Sequence, residues 1–344
     1  MKDHATTIYD ISELAGVSIA TVSRVLNGSP NVSDATRKKV LDAIEASGYT
    51  PNAFARGLGL NTMKTIGILA ADSSDLYLAK AIYHLERELR ANDYDCLLCC
   101  TGYELENRKS AIDLLISKKV DGIILVGSNF IYDTDEENAY IVEAARTVPV
   151  MLLNGALEAP NVYSITSDDY KSMYEAASEL IDSGVTNILY YYNSISYSGK
   201  RKEKGFRSAL KDRGVTVPEN HLQYFDGTRE DVPGMAAQLL ALHKKGVTFD
   251  GVIAADDTLA MSAVKYARTL GLSIPEEFSV IGYNNSMLST CSDPELSSID
   301  NKLETLCQHL TATLMGVLGG ADMPKITVFS GEIAHRKTTR PKTT

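Results

Sequence analysis

The sequence predicts an α/β protein: an N-terminal all-α head carrying a helix-turn-helix, followed by a two-lobed core built on parallel sheets. Three observations carry that expectation. Short capped helical segments fill residues 7–48; apolar runs then alternate with amphipathic helical patterns; and 344 residues suffice for a small head plus two larger lobes.

Thr7 to Ala15 reads as a first helix with Ile11, Leu14 and Ala15 on its inward face, and Gly16 supplies the tight turn that ends it. Ser18 is placed to cap a second helix, Ile19 to Leu26. Val22, Val25 and Leu26 form its inward stripe, while Ile19, Ala20, Ser23 and Arg24 point away. Such an outward face suits a DNA major groove. There an arginine bonds guanine bidentately and methyl-bearing side chains touch thymine methyls. Ser33 caps a third helix, Asp34 to Ser47, with Val40, Leu41 and Ile44 at helical spacing, and Gly48 and Pro51 stop it. Arg37, Lys38 and Lys39 on that helix read as a solvated face. Asn52 to Leu60 is amphipathic but too short to be a stable helix alone. Gly57 and Gly59 each weaken it by about 0.8–1 kcal/mol relative to alanine. It therefore reads as a segment that orders only when something holds it.

Behind the head come short buried apolar runs: Thr65 to Asp72, Asp95 to Cys100, Val120 to Gly127, Val148 to Gly155, Asn187 to Asn193, Asp250 to Asp256 and Phe278 to Asn284. Between them lie helical patterns such as Ala79 to Ala91, Arg108 to Lys118, Lys171 to Ser183 and Leu259 to Leu270. This rhythm means parallel sheets covered on both faces, and two such sheets fit the length. In open sheets of this kind ligands gather at the carboxyl ends of strands. The polar residues there are Asp72, Asp168, Asp256, Asp257 and Asn284; each alone reads as a helix cap, but together they form a candidate ligand site.

The net charge of −10 is unusual for a DNA binder, but residues 1–60 hold six basic and six acidic side chains, so the acid excess lies in the core. A neutral head needs specific contacts to bind tightly. The odd set Cys96, Cys99, Cys100, Cys291 and Cys307 reads as reduced, buried thiols. No metal-ligand spacing, leader or membrane-length apolar run is seen, so a cytoplasmic protein without cofactor or membrane association is expected. No phosphate-loop, dinucleotide, nucleophile-elbow or zincin motif occurs, which argues against an enzyme.

The string Val17-Ser18-Ile19-Ala20-Thr21-Val22-Ser23-Arg24-Val25-Leu26-Asn27-Gly28, with Tyr49-Thr50-Pro51-Asn52 and Ala55-Arg56-Gly57-Leu58, resembles the lac/galactose repressor family of bacterial transcription regulators. The head is most similar to galactose repressors and catabolite-control protein, and the likeness continues more loosely to the chain's end. The resemblance implies that Ile19, Ala20 and Arg24 read bases, supported by Ile8, with Asn31 near the half-site edge. It implies that Thr7, Tyr9, Ser18, Thr21, Ser23, Asn27, Ser33 and Thr36 position the head on phosphates. Asn52, Ala55 and Leu58 would form a hinge helix, Leu58 being the wedge at the central base step. The implied organisation is a head at 1–50, a hinge helix and linker at 51–62, and a periplasmic-binding-protein-like core. Its N-subdomain would be 63–163 with 294–321, its C-subdomain 164–293 with 322–337, and 338–344 a tail.

By the same resemblance, Asp72, Tyr77, Asp168, Lys202, Arg229, Asp256, Asp257 and Asn284 would bind a small effector between the lobes. Lys202 stands where many relatives have arginine, Asn284 replaces a sugar-binding aspartate, and Arg229 replaces a stacking aromatic, whereas Tyr77 keeps one. Losing a carboxylate and gaining a guanidinium, with Lys200 and Arg201 close by, points to an acidic sugar derivative, although Asp256 opposes it. The expected protein is a homodimeric repressor of carbohydrate-utilisation genes on a pseudo-palindromic double-stranded operator. The alternatives are a catabolite-control regulator using a phosphocarrier protein as corepressor, docked on the first lobe, or a sugar-binding or sugar-processing α/β protein.

Overall fold

The computed structural model describes residues 6–49, 62–216 and 218–340. In the head, Thr7 caps α1 (Ile8–Ala15) through a reciprocal pairing: the Asp10 carboxylate accepts from the Thr7 amide at 2.7 Å, and the Thr7 hydroxyl accepts from the Asp10 amide. Gly16 ends α1 at φ 64°, a left-handed conformation that favours glycine. Ser18 caps α2 (Ile19–Leu26) and Ser33 caps α3 (Asp34–Ser47), at the boundaries expected. Ile11, Val22, Val25 and Val40 form the buried centre. Leu14 and Leu41 are exceptions to the expected inward faces, being 65% and 50% exposed. Ile8 and Ala15 pack beside Ile11 instead, which leaves Leu14 on the flank of that stripe. The hinge residues Asn52, Ala55 and Leu58 lie outside the described residues.

Among the described residues the core holds two six-stranded sheets. The first runs β11-β5-β4-β3-β1-β2, with β1 (Thr65–Ala70), β2 (Asp95–Cys100), β3 (Gly122–Val126), β4 (Val150–Leu153), β5 (Val162–Ser167) and β11 (Ile326–Phe329) all parallel. It is covered by α4 (Leu76–Ala91), α5 (Leu105–Ser117), α6 (Asp135–Ala145) and α12 (Leu303–Leu318). The second runs β12-β10-β9-β8-β6-β7, with β6 (Ile188–Tyr192), β7 (Leu222–Tyr224), β8 (Gly251–Ala254), β9 (Ser279–Tyr283) and β10 (Ser297–Asp300) parallel and β12 (Glu332–Ala334) antiparallel. Its helices include α7 (Asp169–Asp182), α8 (Tyr197–Asp212), α9 (Val232–Lys244) and α10 (Asp257–Leu270).

Sheet membership moves the expected crossovers. β5 belongs to the first sheet and β10 to the second, so the chain changes lobe near 167–169, 300–303 and 329–332 rather than at 163/164, 293/294 and 321/322. Both strands were obscured by buried hydroxyls: Ser164, Thr166, Ser167, Ser297 and Ser298 point into packed protein. The segment 338–340 is not a free tail either. Thr338 is fully buried and bonds Val280, and Arg340 donates to the carbonyls of Pro275 and Glu276.

The expectation of buried strands and thiols fails at β2. It lies at the sheet edge, where Leu97, Leu98 and Cys100 are exposed and Cys96 and Cys99 half-buried. Cys291 is also exposed, leaving only Cys307 deeply buried.

Candidate functional site

On α2 the side chains of Ile19, Ala20 and Arg24 face solvent, and the Arg24 side chain has no ion pair or hydrogen bond among the described residues. Around them the hydroxyls cluster at helix N-termini. Ser18 pairs with Thr21 and Ser33 with Thr36, each at 2.9 Å, while Thr7 caps α1. Helix N-termini with free amide hydrogens favour phosphate. Asn27 donates to Ser23 at 3.4 Å, Tyr9 and Asn31 are exposed, and Ile8 is half-buried against the head's core. Arg37 donates to the Ser29 carbonyl and Lys38 pairs with Asp42, so two of the three basic residues on α3 are already engaged.

Between the lobes lies a cavity of about 360 Å³, within the range of small-molecule sites. Six of the eight expected residues line it: Tyr77, Lys202, Arg229, Asp256, Asp257 and Asn284. They arrive on loops after strand carboxyl ends and on helix N-termini. Asp72 does not line this cavity; it accepts from Ser74 in a local turn and faces a second space further out. Asp168 does not line it either. It caps α7 and accepts from Arg201 at 3.1 Å, at the point where the chain crosses lobes. Its neighbour Asp169 carries the buried carboxylate, accepting from the Tyr283 hydroxyl at 2.6 Å. Burial pushes the Asp169 carboxyl up, opposed by Lys202 and that hydroxyl.

Lys202 is buried, donates to the Ala255 carbonyl at 2.9 Å and lies over the Tyr283 ring. Burial lowers its ammonium pKa, while Asp169 and Asp256 oppose the shift. Asp256 caps α10 through the Leu259 amide at 2.8 Å and accepts from Asn193 at 2.9 Å. Asp257 accepts from the Ser286 amide at 2.6 Å and the Ser298 hydroxyl at 2.5 Å, and burial pushes its pKa up to about 6. The Asn284 side chain accepts from Asn301.

Arg229 is not the free cation on which the expectation of an acidic effector relied. Its guanidinium donates across the cleft to Asp75, at 3.1 Å, and is thereby paired. Lys202 and Arg229 share the cavity with four carboxylates, Asp75 from the first lobe and Glu230, Asp256 and Asp257 from the second. Asp75 also caps α4, accepting from the amides of Tyr77 and Leu78. Residues that sequence reasoning missed include Asp75, Asn129, Asn154 and Asn193. Asn154 and Asn193 directly follow β4 and the run ending β6, so a polar residue just past a buried strand was the available signal. Other contacts across the cleft are Ser128 with Ser196, at 2.8 Å, and Lys200 with Asp133. Among the described residues no cluster is placed to hold a metal ion, and no helix is long and apolar enough to cross a membrane.

Comparisons with known proteins agree with this architecture. Residues 7–52 match the model of bacterial regulatory proteins, lacI family, and residues 63–333 that of periplasmic binding proteins and the sugar binding domain of the LacI family. An HTH-type transcriptional regulator of Lachnoclostridium phytofermentans is 52% identical over 96% of this chain and 99% of its own. Catabolite control protein A of Priestia megaterium is 33% identical over 85% of this chain and 86% of its own. Among solved structures, the lac repressor dimer bound to operator and an anti-inducer superposes with a TM-score of 0.87 at 23% identity, covering 98% of this chain and 99% of that one.

Proposed function

The chain belongs to the lacI family of bacterial regulatory proteins, sequence-specific DNA-binding transcription regulators, and on that premise we propose a homodimeric repressor whose cleft senses a neutral sugar. The observation that carries the DNA reading is the outward face of α2, where Ile19, Ala20 and Arg24, the last without a side-chain partner among the described residues, are flanked by hydroxyl-capped helix ends. Two such heads read the half-sites of a pseudo-palindrome, and the hinge with Leu58 engages its centre.

The cleft's chemistry supports an uncharged polyhydroxy effector. Asn129, Asn154, Asn193 and Asn284 offer both donors and acceptors to hydroxyls, and the carboxylates outnumber the cations. An acid would meet Asp256 and Glu230 with Arg229 already neutralised by Asp75. The exposed edge β2, with Leu97 and Leu98, is the apolar surface a second copy covers. Replacing Leu98 by Glu is expected to give a monomer by light scattering with operator affinity sharply reduced.

The test of the whole reading is an operator gel shift run with and without sugars. Sequence-selective retardation altered by a neutral sugar supports it. No preference over random duplex in any condition ends it. A second reading, corepression by a phosphocarrier protein, is supported by the 33% identity to catabolite control protein A. It requires that a serine-phosphorylated phosphocarrier protein, and no sugar, change the retardation.

A further inference from the structure

The cleft contains a second chamber that a single bound sugar ring leaves empty. Outward of the 360 Å³ cavity lies a space of about 770 Å³. Asp75, Asn129, Asn193, Ser196 and Arg229 line both, so the two are one continuous channel. The Asp75–Arg229 ion pair and the Ser128–Ser196 hydroxyl pair mark its waist.

The chemistry of the walls changes at that waist. The inner cavity is lined mainly by amides, hydroxyls, carboxylates and the cations Lys202 and Arg229, and Tyr77 is the one aromatic ring among the described residues that line it. The outer chamber has Tyr103 and Tyr132 from the first lobe and Tyr224 and Phe225 from the second. Tyr103 and Tyr224 are 47% and 42% exposed, and the Tyr224 ring is held edge-on to Tyr192 at 5.4 Å between centroids. Tyr132 is fixed in place by Arg108, which is only 2% exposed. The Arg108 guanidinium donates to the Tyr132 hydroxyl and to the Asn129 carbonyl, each at 2.6 Å, and lies against the rings of Phe130 and Tyr132. Burying a guanidinium is costly, and here the bonds that offset the cost hold a cleft-facing ring and its loop.

A pyranose carries hydroxyls at its rim and C–H groups on its faces, so fixed aromatic rings with polar atoms between them fit it. We propose that the outer chamber is a second sugar subsite and that the effector is an oligosaccharide of two or more rings. One terminal ring occupies the inner cavity, and the next lies against Tyr103, Tyr132 and Tyr224. The glycosidic link passes Arg229, whose guanidinium has donors beyond the one given to Asp75. This rests on the sugar reading above and names the ligand class it leaves open.

Calorimetric titration of the full-length protein tests it, using matched series: glucose, cellobiose and cellotriose; xylose, xylobiose and xylotriose; mannose and mannobiose. In the series that binds, the disaccharide is expected to bind at least tenfold tighter than its monosaccharide. Tyr224→Ala, and independently Tyr103→Ala, removes most of that gain and leaves monosaccharide affinity within twofold, with melting temperature confirming that each variant folds. A monosaccharide bound as tightly as its oligomers, or a gain that survives both substitutions, overturns the subsite and leaves the sugar reading intact. Absence of binding or thermal shift in every series overturns the sugar reading, and the subsite with it.

Discussion

The reading face of the head and the wall of the cleft use polar side chains in opposite ways. On α2, Arg24 is exposed and its side chain has no partner among the described residues. In the cleft, Asp75, Lys202, Arg229 and Asp256 each already hold a partner from another segment. Base reading by Arg24 adds contacts to a side chain that gives none up among the described residues. Binding by the cleft exchanges existing contacts for new ones, and only the difference between lobe arrangements can shift DNA affinity. The contrast makes the head a rigid reader and the cleft a balance with a small bias.

The largest effect that would break this contrast is at Arg24. Arg24→Ala is expected to cost about 1–3 kcal/mol of operator affinity per half-site, felt twice in a dimer, and to leave thermal stability within about 0.5 kcal/mol. Competition gel shifts and melting curves measure the two, and a large loss of stability would show that Arg24 is part of the head's packing. Next is Lys202. Lys202→Met removes the larger of two cationic influences on buried Asp169, the other being Arg201, together with the bond to the Ala255 carbonyl, and a loss of about 1.5–3 kcal/mol in urea unfolding is expected, with operator affinity per folded dimer retained. A variant as stable as the parent would mean that the ammonium contributes nothing net.

The smallest effect concerns Asp257. Burial raises its pKa to about 6, so it favours folding fully below the ordinary value near 3.8 and this contribution is lost as pH rises through 6. The parent protein should therefore lose stability relative to Asp257→Asn between pH 5 and pH 7.5, by about 1.4 kcal/mol. Urea midpoints of the two at both pH values check it. Parallel pH profiles would place the carboxyl in a wetter setting than the bonds to Ser286 and Ser298 describe.

The same contrast explains what the sequence disclosed. Head function is local: the caps at Ser18 and Ser33 and the outward positions of the helix between them lie close together in the chain, so spacing alone locates them. Cleft function is assembled from loops far apart in the chain, and sequence reading found Tyr77, Lys202, Asp256, Asp257 and Asn284 but not their partners. It mistook Arg229 for a free cation because Asp75 lies 154 positions away. It also preferred Asp168 to Asp169, since adjacent acids at a helix start differ in burial only once the helix is packed. Strands β5 and β10 were misassigned because their buried serines look like loop residues.

The three passages of the chain between lobes have a practical corollary. No single cut, and no single splice, separates one lobe from the other, because each is completed by sequence that returns from its neighbour. A chimera that exchanges sensory specificity between relatives must be joined at three places at once, near 168, 301 and 331, or it will inherit two half-built sheets.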